Sequence, residues 1–110
     1  MSDVLEQLTA TIAARRGADP GQSYVASLHS KGLNKILEKV GEEATEVILA
    51  AKDVEAGGDP GALIGEVADL WFHSMVMLSH LDLDVSQVTH CLAQRAGVSG
   101  LEEKAARSDD

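Results

Sequence analysis

From Leu33 to Ala51, apolar side chains recur at Ile36, Leu37, Val40, Ala44, Val47, Ile48 and Ala51. This i, i+3, i+4, i+7 spacing lays one continuous stripe along a helix. Gly57-Gly58 then offers a left-handed end, Asp59 an N-cap and Pro60 the first position of a following helix, so the pattern predicts a tight helical hairpin. The second arm, Pro60 to about Leu81, is apolar on nearly every side, with Leu63, Ile64, Val67, Leu70, Trp71, Phe72, Met75, Val76, Met77 and Leu78 distributed around it. Such a helix belongs at the centre of a bundle or in a subunit interface.

On the N-terminal side, Leu5, Leu8 and Ile12 follow Ser2, a candidate cap, and Gly17 with Asp19-Pro20-Gly21 stops that helix near Arg16. The stretch Gln22 to Gly32 is weakly patterned and reads as a loop over a site or as plain connection. Beyond the hairpin, Asp82 or Asp84 can cap a helix with Val85, Val88 and Leu92 inward, ended at Gly97, with a last short turn over Leu101 to Arg107. The fold class is all-α, a four- to five-helix bundle completed by dimerisation, because four short helices cover the apolar arm poorly.

Length and composition narrow the setting. With 110 residues the chain makes one domain, taken as 1–107 with a frayed tail at 108–110, and aromatic residues at 3% leave the core to Leu, Val, Ile, Met and Ala. A net charge of -9 repels polyanions, which speaks against nucleic-acid binding. Cys91 is the single cysteine, so an internal disulfide and a cysteine-rich zinc site are excluded. The N-terminus carries Asp3 and Glu6 and no signal-peptide pattern, so a cytoplasmic protein is expected. The apolar region from Leu63 to Leu81 is interrupted by Glu66, Asp69 and His73, and reads as a bundle helix and not a membrane span.

The same interruption is the strongest chemical signal. Glu66 and Asp69 are the only charged residues between Pro60 and Leu81, one turn apart on one stripe, with His73 one turn further on and His80 two more. Burying two ionised carboxylates together costs about several kcal/mol or more unless protons or cations compensate. At about 100° per residue from Leu33, Glu43 lies about 80° from the centre of the apolar stripe, Glu46 about 140° and Glu42 about 180°. Lys39 stands one turn before Glu43. Antiparallel packing of the hairpin can bring Glu43 and Glu46 opposite Glu66 and Asp69. Lys39 or a divalent metal could supply the positive charge; four carboxylates exceed what one lysine neutralises, and magnesium suits an all-oxygen site. Gly41 and Gly65 sit beside these residues, where close helix crossing would explain them.

Three segments then resemble a known family. SYVASLHSKGLNKILEKVGEEATEVILAAK over 23–52, GEVADLWFH over 65–73 and RAGVSGLEEKAAR over 95–107 are together similar to the phosphoribosyl-ATP pyrophosphatases of histidine biosynthesis. The acidic motif alone is that of the wider MazG-type all-α pyrophosphohydrolases; the Ser-Tyr segment and the Ser-Gly-x-x-Glu-Lys tail narrow it. The resemblance implies hydrolysis of phosphoribosyl-ATP to phosphoribosyl-AMP and pyrophosphate, the pathway's second step, with attack at the α phosphorus. It implies Mg2+ on Glu43, Glu46, Glu66 and Asp69, with Glu42, Glu43 and Glu46 as the catalytic carboxylates and Glu42 a candidate for ligation or for activating water. It further implies Lys39 at phosphate oxygens, and Ser23, Tyr24, Arg95, Lys104 and Arg107 at the substrate.

A homodimer is expected, and the cyclohydrolase of the next step is expected as a separate protein. His29 and Ser30 depart from the apolar character expected of the Ser-Tyr segment. Two other readings compete: a housecleaning pyrophosphatase of the same superfamily acting on simple nucleoside triphosphates, and a non-catalytic helical interaction module.

Overall fold

The computed structural model describes residues 2–96 of the chain, with side chains from Val4 onward. These residues form five helices: α1 (Ser2–Arg15), α2 (Tyr24–Lys31), α3 (Leu33–Glu55), α4 (Pro60–His80) and α5 (Val85–Arg95). Among the described residues there is no strand.

The hairpin of α3 and α4 forms as its pattern predicts. Gly57 takes φ +100, and Gly58 donates its N–H to the Asp53 carbonyl at 2.7 Å, which closes the end of α3. A Cβ on Gly58 would stand 2.8 Å from that same carbonyl oxygen, so the glycine is required by the approach of the two backbones. Asp59 then accepts from the Gly61 N–H at 2.9 Å, with Pro60 opening α4.

Segment 22–32 departs from the loop reading. It is mostly helix: the Ser23 hydroxyl accepts from the Ala26 N–H at 3.2 Å, and Gly32 at φ +97 ends α2 and turns the chain into α3. Val25, Ala26 and Leu28 are buried. Eight residues are too few for periodicity to show, and two polar serines and a histidine interrupt it.

The core gathers where four helices meet: Ile12 from α1, Val25 and Leu28 from α2, Ile36 from α3, and Met75 and Val76 from α4. This fixes the first half of α3 against the second half of α4 and leaves the hairpin's other end thinly covered. Ile48 and Leu49 on α3, and Ile64 and Trp71 on α4, are exposed, the last two at 68% and 53%. By length and composition α4 could also cross a membrane, but Glu66 and Asp69 fall on its stripe and it packs along α3.

Asp84, not Asp82, caps α5, and a capping box with Gln87 completes the turn. Asp82 instead takes φ +60 and pairs with Arg16 at 2.9 Å, while Arg16 also donates to the Ser79 carbonyl at 2.7 Å, tying the end of α1 to the end of α4. Val85 is half-buried, but Val88 and Leu92 are exposed, against the expectation that they face inward. The expected cap at Ser2 falls on a side chain outside the described set. Gly97, the turn over Leu101 to Arg107 and the tail 108–110 also lie outside the described residues.

Ile36 is fully buried at the meeting point of the core, so Ile36→Ala should lower unfolding free energy in urea by about 2–5 kcal/mol. Asp84→Ala, which removes only the cap, should cost about 1 kcal/mol. A smaller loss for Ile36→Ala than for Asp84→Ala would mean that the core lies elsewhere.

Candidate active site

The Gly57-Gly58 turn folds α4 back along α3 and sets Glu43 and Glu46 across from Glu66. One carboxylate oxygen from each of the three lies within 4.8 Å of the other two. Glu43 is only 7% exposed, and its Oε2, like Oε2 of Glu66, is buried without a hydrogen-bond partner. Orphaned acceptor oxygens are costly in any fold, and two of them on converging carboxylates demand a positive partner.

The proton affinities report the same strain. The Glu66 carboxyl is pushed up to about 7, first by a hydrogen bond shared with the Glu46 carboxyl, then by burial and by the negative charge of Glu46, Glu43 and Asp69. Burial raises Glu43, with Glu46 and Asp69 adding to it. Asp69 is therefore near enough to act on both, but it is exposed and does not belong to the converging three.

Lys39 stands at the border of this cluster. Its Nζ lies 3.0 Å from Glu42 Oε2, and that bond raises the lysine and lowers the glutamate. Glu42 is exposed and turned to Lys39, apart from the three converging carboxylates. Tyr24, at the start of α2, is 52% exposed; its ring stacks on Phe72 at 6.2 Å, and its hydroxyl meets His73 Nε2 at 2.8 Å.

The remaining candidates fall differently. Ser23 has its hydroxyl engaged in capping α2. Arg95 ends α5 and lines a hollow with Leu78, Leu83 and Cys91, away from the carboxylates. Lys104 and Arg107 lie outside the described residues. Gly41 and Gly65 do not mark a close crossing, since a Cβ on either would meet nothing within 4 Å.

The bond between Tyr24 and His73 was missed by sequence reasoning, because it joins residues 49 apart through a helix read as a loop. His29 likewise finds a role in packing: its Nδ1 lies 2.9 Å from that of His80, and burial, Arg16 and His80 lower its pKa.

Comparison with known proteins adds an independent line. The phosphoribosyl-ATP pyrophosphohydrolase family model matches residues 5–96. A phosphoribosyl-ATP pyrophosphatase of Burkholderia cenocepacia (strain HI2424) is 60% identical over 105 residues, which cover 96% of this chain and 87% of the relative. Proteins of the same name from Burkholderia ambifaria (strain MC40-6) and Burkholderia vietnamiensis (strain G4 / LMG 22486) are similar to the same extent.

The raised Glu66 carboxyl has a thermodynamic signature. Between its ordinary value of 4.5 and about 7 the native protein holds a proton that the unfolded chain has released. Native stability must therefore fall as pH rises through that window and gain nothing from this group above it. In EDTA, Glu66→Gln should melt above the parent protein at pH 8, with the gap closing toward pH 5. A pH-independent gap, or a less stable variant at pH 8, would show that the carboxyl is not held under this strain.

Proposed function

This chain belongs to the phosphoribosyl-ATP pyrophosphohydrolase family, and on that premise we propose that it hydrolyses phosphoribosyl-ATP to phosphoribosyl-AMP and pyrophosphate, the second step of histidine biosynthesis. The observation that carries the chemistry is the pair of buried, unpartnered oxygens on Glu43 and Glu66 beside Glu46. A hard divalent cation fits this donor set, which is all oxygen, surplus in negative charge and short of hydrogen-bond donors.

Glu43, Glu46 and Glu66 would hold Mg2+, with Asp69 adding its charge at the edge. When bound, the cation neutralises phosphate charge and makes a water more acidic. The protein's own groups do the rest. Lys39 is a point charge that meets the phosphate oxygens and carries part of the charge of departing pyrophosphate. At rest Glu42 is a weak base because Lys39 holds it ionised. Once Lys39 turns to the substrate, that restraint is lifted and Glu42 can take the proton of the attacking water. Glu43 and Glu46 would help to hold the cation.

The reading extends to assembly. The radius of gyration of 16.3 Å exceeds the roughly 13 Å of a compact domain this long. The apolar residues left open on α3 and α4 give the excess a reason, and a homodimer would cover them. Phosphoribosyl-AMP would pass to the cyclohydrolase of the next step.

The test is pyrophosphate release by the purified protein from phosphoribosyl-ATP and from a panel of ordinary nucleoside triphosphates. Release should need Mg2+, stop in excess EDTA and favour phosphoribosyl-ATP. Glu43→Gln and Glu46→Gln should each lower turnover about 100-fold or more while keeping the helical circular-dichroism spectrum. Preference for the simple triphosphates would assign a housecleaning role instead, and turnover unaffected by either substitution would remove the cluster from the chemistry.

A further inference from the structure

His73 is 6% exposed, and both of its ring nitrogens are engaged. Nδ1 lies 2.8 Å from the Asp69 carbonyl oxygen, and Nε2 lies 2.8 Å from the Tyr24 hydroxyl. A carbonyl oxygen only accepts, so Nδ1 must carry a hydrogen and donate it. In the neutral ring Nε2 is then a bare acceptor, and the hydrogen of the second bond comes from the phenol.

Tyr24 has one such hydrogen, and it is turned inward to a buried imidazole. What remains on the open side of the hydroxyl is lone pairs. The ring is held in that attitude from two sides, stacked on Phe72 and edge-on to His73 at 5.7 Å. A phosphate oxygen, itself an acceptor, has nothing to take from this hydroxyl. A cation does, and Lys39, whose Nζ is bonded to Glu42 at 3.0 Å, is a cation in electrostatic reach of Tyr24.

We propose that His73 is a positioning residue that acts through Tyr24: by taking the phenolic hydrogen it presents the Tyr24 hydroxyl as an acceptor for the Lys39 ammonium. Tyr24 then steadies Lys39 as it turns from Glu42 toward the substrate phosphates. Tyr24 serves the site without donating to phosphate. The proposal rests on reading this face as the phosphate side of the pyrophosphohydrolase site.

Two arms test it. Imidazole nitrogen NMR on the metal-free protein, assigned with a His73→Gln sample, should show His73 as the tautomer protonated at Nδ1; a ring protonated only at Nε2 overturns the proposal. In the kinetic arm, Tyr24→Phe and His73→Phe should each lower kcat/KM about tenfold, the worth of one hydrogen bond. The double variant should lie within about twofold of either single one. Losses that multiply would mean that His73 does not act through Tyr24.

His73→Gln keeps an amide oxygen for the phenolic hydrogen, so it should recover most of the loss, and only where Tyr24 is present. This rescue also covers the case in which His73→Phe does not fold. A parent protein without activity on phosphoribosyl-ATP counts against the site reading and the proposal's role for Lys39, and the NMR arm tells that apart from failure of the hydrogen bond itself.

Discussion

Negative charge collected between two helices, with two carboxylate oxygens buried and unanswered, is the constraint around which this fold is organised. Glu43, Glu46 and Glu66 converge between α3 and α4, and two of their oxygens are buried with no donor to meet them. A bundle selected for stability alone would place apolar side chains there, since replacing buried charge by well-packed hydrophobic groups is often neutral or stabilising. The strain is held by the Gly57-Gly58 turn and by a core concentrated at the other end of the hairpin. Those two features hold α3 and α4 together and keep the three carboxylates facing one another.

The same arrangement explains the division of labour among the carboxylates. Glu43, which is buried, and Glu66, which is half-buried, have their proton affinity raised by burial and by neighbouring carboxylates, which suits groups that surrender protons to a cation. Glu42, one position away on α3, is turned to Lys39, which keeps it ionised. On the proposed reading, a single helical turn carries a side for the cation and a side for the phosphates, separated by the 100° step between neighbouring residues.

Much of this was legible in the sequence because it is written in short-range patterns. The stripe from Ile36 to Val47, the Asp59-Pro60 start and the carboxylates inside an apolar helix each follow from helical spacing and local capping. The short helix from Tyr24 was not legible: it is eight residues long, and its amphipathic character shows only when Val25 and Leu28 are seen under Ile12 and Val76. With that helix unseen, the contact of Tyr24 with His73 had no signal, as no pattern links residues so far apart. Gly41 and Gly65 misled in the other direction, since glycine is also tolerated on an open helix face, where nothing is close. The inward reading of Val88 and Leu92 failed for a related reason: a periodic apolar stripe says that a face is to be covered, but not by which chain.

Binding of Mn2+ to the metal-free protein, followed by electron paramagnetic resonance as Mg2+ is added, tests the central claim most directly. Saturable binding that Mg2+ displaces, and that Glu43→Gln or Glu66→Gln weakens strongly while Asp53→Asn does not, is the predicted result. Mn2+ that does not bind, or that binds equally well to all of these variants, would contradict the account, because the buried carboxylates would then have no cation to answer their charge.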